Sequence, residues 1–174
     1  ELISLGDEPA GLAELTPDAR KALVFTSVEE RPAITVVDLD AAAAETFGLR
    51  KGVRAVAIGP EGNSAIIFHT KLPGAPIPGE NEDDFIAKSF AYSLFDINTG
   101  YAKIETIPTE AGDFVFSEDA NRLYVLLNDP AQDVRQVEII DLRSFRTESL
   151  RLGSPPENVG FIPNEGNPRI YVSQ

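Results

Sequence analysis

Carboxylates carry most of the chemical potential of this chain. Glu80, Glu82, Asp83 and Asp84 crowd around Asn81 in one short run. Ca²⁺ takes several carboxylate and carbonyl oxygens, so the run is a candidate calcium site. The glycine and distal glutamate of an EF-hand loop are absent from it. The same run suits a docking patch for a basic partner, or a plain solvated charge face. His69 is the one histidine, and beside a carboxylate it has the chemistry of a general base. A lone His builds no multi-histidine metal site, and a hydrogen-bonded place in a strand is its plainer role. Asp38, Asp96 and Asp141 recur in one local pattern, apolar-apolar-Asp-apolar. A repeated position spreads these residues apart, so their expected task is to accept backbone N–H groups in turns. No serine lies in a Gly-x-Ser-x-Gly elbow. Gly59-Pro60-Glu61-Gly62 lacks the lysine and the following helix of a phosphate loop. Arg54 is a single cation at the start of an inner strand, which makes no site. No catalytic residue and no metal-ligand set is therefore assigned.

Composition narrows the partners. The chain has 174 residues, 15 basic and 28 acidic, for a net charge of −13. That charge repels a phosphate backbone and an anionic membrane surface, and it favours basic proteins or cations. Nucleic acid is set aside. Without Cys there are no disulfides, thiolate nucleophiles or Cys-ligated zinc. No apolar run reaches the roughly eighteen residues of a membrane span. The absence of Met indicates a processed chain or a piece of a longer one.

The elements that must position these residues repeat along the chain. Polar turns stand at Thr16-Pro17-Asp18-Ala19, Gly59-Pro60-Glu61-Gly62, Ser117-Glu118-Asp119-Ala120 and Ile162-Pro163-Asn164-Glu165-Gly166. Each lies between two short apolar runs, and Pro, Asp and Gly suit a tight reversal. Pro60, Glu118 and Pro163 each follow an Asp of the recurring pattern by 22 residues. The spacing predicts units of four antiparallel strands, a to d. The a–b turn is the polar one, and the Asp closes strand c. Strands b and c are apolar on both faces, as in Leu123-Tyr124-Val125-Leu126-Leu127, which predicts sheets covered on both sides. Four-stranded units at this period point to an all-β chain, a β-propeller of antiparallel blades.

The turn followed by Leu123-Tyr124-Val125 or Ile170-Tyr171-Val172, together with Ile139-Ile140-Asp141-Leu142, resembles the YVTN-type propeller repeat, a relative of the WD repeat. The second copy departs from it with Ile66-Ile67-Phe68, and the first with Leu23-Val24-Phe25. On this reading residues 1–174 are part of a single propeller domain. Complete blades cover about 11–50, 53–107 and 112–152, and partial blades 1–6 and 158–174. Three blades cannot close a ring, so the remaining blades of a larger propeller are expected partners. The alternative is a four-bladed ring combining 2–5 with the C-terminal strands. The resemblance also implies frequent export, which favours a periplasmic, cell-surface or secreted location.

The second blade breaks the pattern. The Asp-to-Asp spacing is 58 there against 45 in the next unit. The excess lies between strands b and c, from Lys71 to Phe90, and reads as a long loop, rich in Pro and Gly and then in acid. Long loops on rigid repeats are where function is usually carried. The b–c loops share one face in the family's arrangement. Glu29, Glu30, Glu80, Glu82, Asp83, Asp84, Asp129 and Asp133 would then form an acidic rim, with Asp7, Glu8, Glu110 and Glu157 nearby. The expected function is a non-enzymatic scaffold for protein interaction or surface display, with that rim as binding face and no cofactor beyond a candidate Ca²⁺. The alternative is a piece of a propeller enzyme, lactonase-like or a cofactor-dependent dehydrogenase, whose site lies in other blades. As exposed loop charges, the four insertion carboxylates would contribute little to stability.

Overall fold

A computed structural model describes residues 2–5, 11–26, 32–162 and 169–174. The chain forms three four-stranded antiparallel sheets and one two-stranded sheet. The first sheet holds β1 (Leu12–Leu15), β2 (Lys21–Phe25), β3 (Ala33–Asp38) and β4 (Ala43–Gly48), in that order. The second holds β5 (Val53–Ile58), β6 (Ser64–His69), β7 (Phe90–Asp96) and β8 (Ala102–Ile107). The third holds β9 (Ala111–Phe116), β10 (Arg122–Asp129), β11 (Val134–Asp141) and β12 (Arg146–Arg151). β13 (Asn158–Ile162) and β14 (Arg169–Ser173) make the fourth. The three complete units and the C-terminal partial one therefore lie where the repeat spacing puts them. The expected strand at 2–5 does not form. A strand needs a neighbour to take its backbone hydrogen bonds, and Leu2 is fully exposed.

Two compact units emerge, Glu1–Thr106 and Ile107–Gln174. In the first, Leu23, Phe25, Ile34 and Val36 of one sheet pack against Val53, Val56, Ala65, Ile67 and Phe95 of the next. In the second, Tyr124, Leu126 and Val137 meet Val159, with the Tyr124 and Phe161 rings edge to face at 6.2 Å. The middle strands are the buried ones: from Ala65 to His69 and from Leu123 to Leu127 every residue is buried. Burying one such Ile or Leu contributes about 2 kcal/mol. The outer strands β4 and β12 are mostly exposed.

The turns explain the repeat at the level of single bonds. Thr16 Oγ1 donates to Asp18 Oδ1 at 2.6 Å, and the Lys21 N–H donates back to Thr16 Oγ1 at 3.0 Å. Ser117 and Asp119 reproduce this with the Arg122 N–H, at 2.6 and 2.8 Å. Ala19 and Ala120 close these turns at φ 57° and 52°. Hydrogen bonds from Asn121 and Ser117 hold the Asp119 carboxyl down at about 2, and Thr16 lowers Asp18 in the same way. In the c–d turns Asp38 accepts the Ala41 N–H at 2.8 Å. Asp96 accepts the Asn98 and Thr99 N–H groups at 2.9 and 3.0 Å. Asp141 accepts those of Arg143 and Ser144 at 3.1 and 2.8 Å. The three aspartates are thus turn acceptors, as their recurrence implies. Ala42, Gly100 and Phe145, each four residues later, have φ 51°, 71° and 52°.

Candidate functional site

The insertion between β6 and β7 is an ordered arm carrying a helix, not a plain loop. Its first half reverses at Gly74 and Gly79, with φ 106° and 88°, values that favour glycine. Lys71 Nζ donates to the Gly74 carbonyl at 2.6 Å and sits 5.4 Å from the centre of the Phe90 ring. The second half is α1 (Glu82–Lys88). Asn81 caps it, its Oδ1 accepting the Asp83 N–H at 2.8 Å. Glu82, Asp83 and Asp84 fill the first turn and Lys88 the last, so the charges oppose the helix dipole at both ends. Ile86 is buried, and the Leu72 N–H donates to the Ala87 carbonyl at 2.9 Å, tying the two halves together.

Two consecutive residues in the β4–β5 connection hold this helix at its two ends. Arg50 reaches the N-terminus, with nitrogens 2.8 Å from Glu82 Oε1 and 2.7 Å from Asp83 Oδ1. Lys51, buried, takes the C-terminus. Its ammonium donates to the carbonyls of Ile86, Ala87 and Ser89 at 2.7, 2.9 and 2.7 Å. Those carbonyls have few or no intrahelical partners, and a cation there is favoured by the dipole. Pro32, Arg50, Lys51, Gly52, Thr70, Leu72 and Ala87 surround a cleft of about 170 Å³ beside this joint.

Most of the insertion's acid is already engaged. Glu80 accepts the Ile77 N–H at 2.7 Å and pairs with Lys88 at 2.6 Å. These two bonds, the backbone one first, lower its pKa. Arg50 takes Glu82 and Asp83, and they raise its own pKa in turn. Asp84 is exposed on the first turn. Glu80, Glu82, Asp83 and Asp84 are therefore brought together, as internal ties more than as a free charge field. In the other unit Asp129 starts the short 3-10 turn Pro130–Gln132, accepting the Ala131 N–H at 3.0 Å and Gln132 Nε2 at 2.7 Å. Asp133 lies between Arg135, at 3.1 Å, and Arg151. Glu29 and Glu30, like Asp7 and Glu8, lie outside the described residues.

His69 ends β6, two residues before the insertion begins. Its Nδ1 is 3.1 Å from the Gly52 carbonyl and its Nε2 is 2.7 Å from Ser93 Oγ. A carbonyl only accepts, so Nδ1 carries the proton and Nε2 accepts the serine hydroxyl. Burial pushes the ring's pKa down to about 4, and the nearby Lys51 charge acts the same way. Both ring nitrogens are thus occupied within the sheet, the structural role set beside the general-base one in the sequence. Among the described residues no three His, Asp or Glu side chains are grouped to hold a metal ion.

Reasoning from sequence missed the helix and the Arg50–Lys51 grip. The helix had a local signal, an Asn cap before three acids and a closing Lys. The grip had none, since its partners are more than thirty residues away.

Comparison with known proteins follows the architecture. No protein-family model matches the chain, and no curated protein sequence does. Among solved structures, Kuenenia stuttgartiensis hydrazine synthase is similar at 19% identity and a TM-score of 0.56, over 97% of this chain and 51% of that one. The WD40 repeats of RRP9 are similar at 11% identity and a TM-score of 0.53, over 89% of this chain and 43% of that one. U3-55K matches at 11% and 0.53, over 89% and 44%. The chain spans about half the length of these structures. At such identities the likeness shows the fold: a β-propeller-like array of four-stranded antiparallel sheets.

Proposed function

We propose that the chain is a propeller scaffold for protein interaction and that the insertion of the second sheet is the element it presents. The observation that carries this reading is the grip of Arg50 and Lys51 on both ends of α1. The arm is held in one shape, so a partner meets it without a large ordering cost. Held this way, the arm shows Leu72 and Ile77, 37% and 60% exposed, and carries the exposed Asp84 in the first turn of its helix. Apolar side chains on a rigid support supply affinity, and charge supplies steering. A net charge of −13 favours a partner with a basic face.

The test is affinity capture with the 174-residue chain beside an Ile77→Asp, Asp84→Lys double variant. Both positions are exposed, so the fold should survive, which circular dichroism would check. The reading expects a captured protein whose affinity falls at least tenfold with the variant. Equal affinity for both chains would overturn it.

A further inference from the structure

The outer edge of the first sheet, with the groove beside it, forms a second surface apart from the insertion. β4 ends its sheet, so among the described residues one side of its backbone has no neighbouring strand. Natural edges are blunted by charged residues, above all lysine, by proline or by bulges. The other two outer strands follow that rule: β8 carries Lys103, and β12 begins and ends with Arg146 and Arg151. β4, Ala-Ala-Glu-Thr-Phe-Gly, has Glu45 as its one charge and no Lys, Arg or Pro. Its register with β3 is unbroken, from Ala33 opposite Gly48 to Asp38 opposite Ala43.

The groove lies against this edge. Val36, Asp38, Ala43, Glu45 and Phe47 share one face of the first sheet, and Ile97 and Asn98 of the β7–β8 turn oppose them. The open groove has a volume of about 420 Å³, within the range of ligand sites. Val36, Phe47 and Ile97 form the apolar part of its floor. Its charges are Asp38, Glu45 and Lys21, and the Lys21 ammonium donates to Asn98 Oδ1 at 2.7 Å. Asp38 accepts the N–H of Ala41, whereas Asp96 and Asp141 each accept two backbone N–H groups. Two carboxylates over an apolar floor, on a chain of net charge −13, select a cation-bearing occupant.

We propose that β4 and this groove bind an extended, cationic segment of a partner protein by strand addition. The segment pairs its backbone with the open edge of β4. It sets an apolar side chain against Val36, Phe47 and Ile97 and a Lys or Arg toward Asp38 and Glu45. The surface is independent of the insertion.

Titrating a nine-residue peptide with Thr at odd positions and Val and Lys by turns at even ones, so that Val and Lys share one face of the strand, capped at both termini, into the isotope-labelled chain tests this. The expected result is amide shifts concentrated in β3, β4 and the β7–β8 turn. Affinity should fall at least tenfold for Glu45→Lys, an exposed position, and again when the peptide is N-methylated along one edge. A Val–Glu peptide should not bind. No binding at millimolar peptide, equal binding of the Val–Glu peptide, or affinity unmoved by both Glu45→Lys and N-methylation would each overturn the proposal.

Discussion

His69 has room for one protonation state. The ring is 5% exposed and both nitrogens are engaged. Its folded pKa, about 4, lies below the ordinary 6.5. The unfolded chain therefore takes up the proton first as pH falls. Stability from the neutral ring is complete above pH 6.5 and is lost progressively between 6.5 and 4, by about 3 kcal/mol in all. Urea titrations from pH 7 to 4 on the native chain and His69→Gln check this. The stability gap between them should shrink toward acid, and a constant gap would refute it. Asp119 acts in a lower window: its contribution is present above pH 3.8 and is lost as pH falls through about 2. At Gly100 the constraint is steric. A Cβ there would lie 1.9 Å from the Phe47 ring, which packs edge-on to Phe95 at 5.8 Å. Gly100→Ala should cost about 2–3 kcal/mol. Ala42→Gly, at the equivalent turn position, should be neutral or stabilising by up to about 1 kcal/mol. Paired denaturation midpoints decide, and equal effects at the two positions would sink the account.

At the scale of elements the decisive piece is α1. Lys51→Met keeps the length of the buried stem and removes the donor to three helix carbonyls. The expected loss is about 2–3 kcal/mol, with hydrogen exchange rising first at 82–89. Protection there unchanged from the native chain would show that Lys51 is not what holds the helix. Neutralising the four insertion carboxylates is then no longer a neutral edit, because Glu80, Glu82 and Asp83 tie the arm down. The strands were legible because each is bracketed by a turn whose chemistry is local, such as Ser117 with Asp119 or Asp141 with Ser144. The insertion was read as a break in spacing, although Asn81 before three acids already signalled its helix. Its acids look like a free charge run until Arg50 is brought beside them, and that proximity is a property of the fold.

At the scale of the molecule, the middle strands set the limit on change. Val125 is fully buried on β10 and stands opposite Glu138, itself 6% exposed. Val125→Asp would bury an unpaired charge facing another carboxylate. A loss of about 4 kcal/mol or more is expected. Calorimetry should show the transition of residues 107–174 abolished or strongly lowered, and a shift of only a degree or two would contradict the packing described.

The grip on α1 also makes Lys51 a chemical clock. An amine buried under three carbonyls cannot meet an acylating reagent while the helix stays seated. Lys21, Lys71, Lys88 and Lys103 are each less buried. Pulse acylation followed by peptide mass spectrometry would therefore mark Lys51 only in molecules whose arm has lifted. The rate of that mark times the opening of the insertion, without any label being engineered into the chain.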